Sequence, residues 1–212
     1  MSHCSTFDIC FKDKRILYKA LRNLKMEPEN QIWSEYSSQF SKMLLGKTLG
    51  MGGRIIGRLL TAKYGKINVF FMEEEKGLVP YFESHQLSEE ELNNKSASIS
   101  LMIQKQYLKC AVEKMAEEIV SLGGSARVTE ASDKDVYSVT LSMDEGSKKL
   151  IMNLDRYGII KENVIGVAGK SCLDLTEKIE SSLGINLKRE WTYEYDTLVE
   201  DRVVQVLKLN GL

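Results

Sequence analysis

Gly123-Gly-Ser-Ala-Arg-Val-Thr-Glu-Ala-Ser-Asp-Lys-Asp-Val-Tyr-Ser-Val-Thr-Leu141 reads as a helix stop followed by a hairpin. Paired glycines end a helix because one of them can take the left-handed conformation that closes its last carbonyls. Ala126 to Glu130 and Val136 to Leu141 then flank the turn residues Ser-Asp-Lys-Asp, a two-strand signal. Upstream, Ser88 and Glu91 stand at capping-box spacing, and Ile99, Ile103, Tyr107, Cys110 and Ala111 recur on one helical face. A long helix therefore runs from Ser88 to the glycine pair and delivers the chain into an antiparallel hairpin. That pattern points to the α+β class.

Working outward, Phe7, Ile9 and Phe11 alternate in a half-buried strand. Asp13 caps a helix whose stripe is Ile16, Leu17, Ala20, Leu21 and Leu24, and Pro28 cannot lie far inside it. Ile67 to Met72 and Leu78 to Phe82 flank Glu-Glu-Glu-Lys-Gly, a hairpin in which Gly77 allows a positive φ. The order is strand, helix, insert, strand, strand, helix, strand, strand, and its core order matches a ferredoxin-like βαββαβ module over residues 1–147, with a helical basic insert at 31–66. Past Asp144-Glu-Gly-Ser147, Leu150, Met152 and Leu154 alternate, Arg156-Tyr-Gly158 turns, and Ile159 to Val167 returns. Ser171 is placed to cap a helix with Leu175, Ile179 and Leu183 inward, and Gly184 ends it. Leu187, Trp191, Tyr193 and Tyr195 belong to one further strand and Val203 to Leu209 to another. Residues 148–212 thus form a small ββαββ module; at roughly 65 residues it has little core of its own and is expected to lean on the first.

Composition excludes several classes. Hydrophobic residues are 43% and charged residues 28% of the 212, which is globular rather than disordered. The formal charge of -1 is too balanced for a protein that coats nucleic acid. Four cysteines without a C-x-x-C pair and two histidines offer no metal-binding spacing, so neither metal nor cofactor is expected. The start has neither the basic nor the apolar region of a secretory signal, and no run approaches a membrane span of about 18 apolar residues. A cytoplasmic protein is the expectation.

The tail stretch Ile165-Gly-Val-Ala-Gly-Lys-Ser-Cys-Leu-Asp-Leu-Thr-Glu-Lys-Ile-Glu-Ser-Ser-Leu-Gly184, followed by Trp191-Thr-Tyr-Glu-Tyr195, resembles the small bacterial domain of unknown function numbered twenty-nine ninety-seven. Gly166, Gly169, Ser171 and Cys172 carry that resemblance. The first module looks like the hypothetical chloroplast reading frame thirty-five family, also called domain of unknown function twelve fifty-seven. Its members begin Met-Ser-His-Phe-Ser, where this chain has Met1-Ser2-His3-Cys4-Ser5. The two domains are often encoded side by side, sometimes near an AAA-type ATPase, so the resemblance implies a fused pair and an ATPase partner. It brings no catalytic residues.

Gly46-Lys47-Thr48 suggests a phosphate loop, but Ser41 stands where the first required glycine should be. Charge is the better signal there. Between Ser37 and Met72, Lys42, Lys47, Arg54, Arg58, Lys63 and Lys66 face no acid, whereas Glu73 to Leu92 carries seven acids against Lys76. The blocks either neutralise one another and lie as solvated faces, or Lys42, Lys47, Arg54 and Arg58 offer a surface for a protein partner or an anionic membrane. Cys172 is the one candidate reactive thiol. Its place in a helix's first turn beside Lys170 favours a thiolate, while Asp174 and the shared stripe with Leu175 and Ile179 favour a buried structural role. Without a convergent set of polar groups, the functional expectation is a non-catalytic accessory or adaptor protein that binds another protein, not nucleic acid. A thiol-based redox or enzyme module at Cys172 and a peripheral membrane factor acting through the basic insert are the alternatives.

Overall fold

A computed structural model describes residues 3–9, 11–32, 58–74, 77–84, 86–167, 177, 179–181 and 183–191. The chain runs β1 (His3–Ile9), α1 (Lys14–Asn23), β2 (Glu29–Ile32), β3 (Arg58–Tyr64), β4 (Ile67–Glu74), β5 (Gly77–Glu83) and α2 (Glu89–Ser121). It continues through β6 (Ala126–Ser132), β7 (Val136–Met143), β8 (Lys148–Asp155) and β9 (Ile159–Ile165) to β10 (Gly184–Trp191). Residues 177, 179–181 and 183 are helical. The fold is α+β with two antiparallel sheets, ordered β10-β1-β9-β8-β7-β6 and β2-β3-β4-β5.

Local chemistry sets the helices as the sequence suggested. The Asp13 carboxylate accepts from the backbone N–H groups of Arg15 at 2.8 Å and Ile16 at 3.1 Å, which starts α1. Ser88 and Glu91 close a full capping box on α2: Ser88 Oγ accepts from the Glu91 N–H and the Glu91 carboxylate accepts from the Ser88 N–H. Beyond the C-terminal turn, the Gly124 N–H donates to the Ile119 carbonyl at 3.0 Å. Helix α2, about 50 Å long at 1.5 Å per residue, is long enough to touch both sheets, and packs on α1, β5, β6 and β7. Its buried stripe, Ile99, Ile103, Tyr107, Cys110 and Ala111, is the one the spacing indicated; Leu108, Val112 and Met115 widen it because neighbours press from more than one side. Phe11 lies edge-on to both Phe71 and Tyr107, with centroids 6.0 and 5.0 Å apart, so one core joins the two sheets.

The ferredoxin-like order is not the order found. In that plan the strands of residues 1–147 would share one sheet; here β3, β4 and β5 join β2 in the smaller sheet, while β6 and β7 lie in the larger. Part of the difference is that β6 and β7 continue through a tight connection into β8 and β9. Asp144, Glu145 and Gly146 take φ of 49°, 57° and 91°, a left-handed turn of the kind that lets consecutive strands form a hairpin. Strands β6 to β9 therefore make one meander, and the 147/148 position falls inside the β7–β8 hairpin, where Met143 pairs with Lys148. Strand β1 crosses to the far side of that meander and pairs with β9 and β10.

The insert expected to be helical differs as well. Its ends are extended: residues 31–32 close β2, and Arg58 to Tyr64 form a strand paired on both sides, by β2 and by β4. Leu60, Thr61 and Ala62 are all buried there, an environment that suits a central strand. Residues 33–57 lie outside the described residues, as do the strand expected at Val203 to Leu209 and Tyr193 and Tyr195.

Candidate functional site

The tail strands β9 and β10 are not neighbours. Each is antiparallel to β1, so they run parallel to one another with one strand between them. Residues 166–183, part of them helical, connect the two, as a parallel pair requires. Cys4 to Asp8 pair with Asn163 to Ile159 on one side, and His3 to Ile9 pair with Trp191 to Gly184 on the other. The register slips between Thr6 and Phe7 so that Leu187 is skipped, a bulge that fixes the alignment. His3, a motif residue in the sequence, thus takes its place in the sheet opposite Trp191.

On the core face of this sheet lie Tyr137, Val139, Leu141 and Met143 of β7, Leu150, Met152 and Leu154 of β8, and Ile160 and Val164 of β9, all buried. Ile179 and Leu183 of the tail helix are buried in the same core, as the stripe in the sequence required. Two charged side chains share that face. Glu162 is fully buried in register with Met152 and Ser5, and Lys148 is buried and pairs with Asp144 at 2.6 Å. The period-two pattern of Leu150, Met152 and Leu154 in β8 places Lys148 inward too, and the alternation of Ile160 and Val164 in β9 does the same for Glu162.

Gly166 has a physical reason to be glycine. Its φ is +77°, and an ideally placed Cβ would lie 2.1 Å from the Ser147 carbonyl oxygen. The first residue of the tail motif is therefore the point where the end of β9 closes on the left-handed β7–β8 turn. Gly169, Ser171 and Cys172 lie outside the described residues. So do Lys42, Lys47 and Arg54, while Arg58 opens β3 opposite Ile32. The Glu91 carboxyl is held below its usual range first by the Ser88 N–H and hydroxyl, with Lys95 and Lys66 adding attraction.

A cavity of about 640 Å³ opens where the start of α1, α2 and the tail helix converge, lined among others by Lys12, Arg15, Lys114, Met115 and Ile179. Asp13 organises its charge. Burial alone would raise that carboxyl, but the Lys114 ammonium at 2.9 Å and the two helix amides hold it below 3.8. The first-turn amides of Arg15 and Ile16 are thereby already engaged by an internal anion. Across the molecule, Lys109 at 2.9 Å and the Tyr137 hydroxyl at 2.8 Å hold the Glu130 carboxyl down. Burial, with Glu130 beside it, pushes the Tyr137 phenol well above its ordinary value.

Cys110 is a buried free thiol with Asn23 Nδ2 at 3.5 Å and Gln106 Nε2 at 3.7 Å from its sulfur. Burial raises its pKa, which keeps it protonated and unreactive near neutrality. Among the described residues no cluster of three or more His, Cys, Asp or Glu could hold a metal ion. No described helix is long and apolar enough to cross a membrane.

Residues 154–196 match the family described as protein of unknown function (DUF2997). The segment takes in the end of β8, all of β9, the tail helix and β10, and it includes the Gly166 turn on which the resemblance rested. No curated protein and no solved structure matches the chain.

Proposed function

We propose that the chain is a cytoplasmic, non-catalytic accessory or adaptor protein that binds another protein through a sheet edge. The observation that carries this reading is β6. It ends the larger sheet, no described strand pairs with its outer edge, and Arg127, Thr129, Glu130, Ala131 and Ser132 are exposed along its seven residues. An edge of that length without proline, lysine or a bulge is a template for an added strand, and strand addition is a common mode of peptide recognition. The likeness of the first module to the chloroplast reading frame family supplies an AAA-type ATPase as the partner to test.

The test is an affinity pull-down from native lysate, with and without ATP, comparing the natural chain with Thr129→Lys/Ala131→Lys. Those positions are exposed, so the variant should melt with the natural protein, and lysines on an edge oppose strand addition. Loss of a specific partner from the variant alone supports the reading. An unchanged partner set argues against the β6 edge, and capture of nothing specific by either chain argues against an adaptor.

A further inference from the structure

Strands β9 and β10 are held one strand apart, and both of the edges facing that gap are satisfied by β1. From this arrangement we infer that strands β8, β9 and β10 form a receptor for a single extended strand and that His3–Ile9 is a ligand for it, held by contacts that do not depend on the chain connecting them. The inference goes beyond the adaptor reading and does not involve the β6 edge.

Three observations converge on it. The segment that matches a family model contains β9 and β10 but not the strand between them, so the matched unit lacks the piece that completes its sheet. Because β9 and β10 run parallel, a strand antiparallel to both fits between them and presents its alternating backbone groups to the two sides, with the ladder interrupted only at the Leu187 bulge. The gap also specifies its occupant. Phe7 takes the register of Ile160 and Leu154, both fully buried, and the bulge at Leu187 permits one alignment. The ligand class is accordingly an extended segment of about seven residues, antiparallel to β9, with an apolar residue opposite Ile160.

The test uses the full chain with Thr6→Pro. Strand β1 is paired on both sides, so a proline at Thr6, opposite Lys161 and Lys188, offers no N–H to either ladder and loosens the hold of β1 on the gap. A fluorescein-labelled peptide of residues 1–12 is titrated under reducing conditions and followed by anisotropy. Saturable binding to Thr6→Pro, no binding to the natural chain, and weakening by about tenfold or more for the peptide carrying Phe7→Asp support the inference. A folded Thr6→Pro that ignores the peptide overturns it, as does equal binding by the natural chain. Should Thr6→Pro fail to fold, a protease site inserted between Lys12 and Asp13 gives the same answer. The cut fragment 1–12 should stay bound through gel filtration and exchange for labelled peptide; its departure from a still folded remainder that cannot recapture it overturns the inference. A specific pull-down partner alongside a failed titration would leave the adaptor reading standing and this one refuted.

Discussion

Replacing Gly166 with alanine tests whether the family-like turn is glycine for steric reasons. The left-handed φ of +77° costs an alanine about 1–2 kcal/mol. The added methyl would also sit 2.1 Å from the Ser147 carbonyl oxygen, a backbone atom in the connection between β7 and β8 that cannot rotate away like a side chain. Forcing such an overlap adds about 1–3 kcal/mol, so the whole effect is about 2–5 kcal/mol. Gly65→Ala is the internal control: its φ is +58°, nothing lies within 4 Å of the new methyl, and only the backbone part of the cost remains. Gly158→Ala should fall between the two, since its nearest neighbours are the terminal atoms of the flexible Gln104 side chain at 2.9 Å. At about 2–4 °C per kcal/mol for a chain of this size, Gly166→Ala should lower Tm by roughly 10 °C and Gly65→Ala by roughly 4 °C. Urea titration followed by circular dichroism gives the free energies independently. Equal losses for Gly166→Ala and Gly65→Ala would refute the close approach to Ser147.

Other predictions follow from the charges, the thiols and the tail. Asp13→Ala should destabilise by about 1–2 kcal/mol through loss of the α1 cap. Because the native Asp13 carboxyl titrates below its unfolded 3.8, its contribution is present above that pH and is lost as pH falls through the native value. Asp13→Asn should therefore show a shallower acid loss than the natural protein below pH ~4, and parallel acid limbs would contradict the Lys114 pairing. Iodoacetamide between about pH 6 and 9 should leave Cys110 unmodified until denaturation; selective fast labelling of Cys172 near neutrality would establish it as a reactive thiol. Reversal of Lys47, Arg54 and Arg58 to Glu should leave the melt nearly unchanged while abolishing partner or liposome binding if the basic insert is a binding surface; a collapse in stability would place it in the core. A fragment of residues 147–212 should unfold broadly or self-associate, because β1 is missing from its sheet; a sharp monomeric melt would sink that expectation.

The parts of the fold legible in the sequence are those whose cause is local. Asp13, the Ser88/Glu91 pair and Gly123-Gly124 act on backbone groups within one turn, so spacing alone located both helices. The stripe from Ile99 to Ala111 and the alternation from Leu150 to Leu154 were visible because burial on one face imposes a period. Pairing across the chain was not. Phe7, Ile9 and Phe11 alternate identically whichever strands flank them, so nothing in residues 5–11 says that β1 lies between β9 and β10 rather than beside β3. The ferredoxin-like order failed at that step. Likewise Gly166 could be seen as part of a motif, but its reason is the Ser147 carbonyl, nineteen residues earlier in the chain and adjacent only after the β7–β8 turn has formed. Glu162 and Lys148 stand within apolar alternations, where an inward charge is the residue to single out, since buried charges persist only where they are paired or used.

The position of β1 is tested most directly by cross-strand nuclear Overhauser effects in the full-length protein. The register requires Thr6 to show backbone contacts with both Lys161 and Lys188, and Phe7 with both Ile160 and Asn186. Both sets of contacts, from one strand to two neighbours, are the predicted result. Direct contacts between β9 and β10, with Thr6 and Phe7 touching neither, would contradict the account.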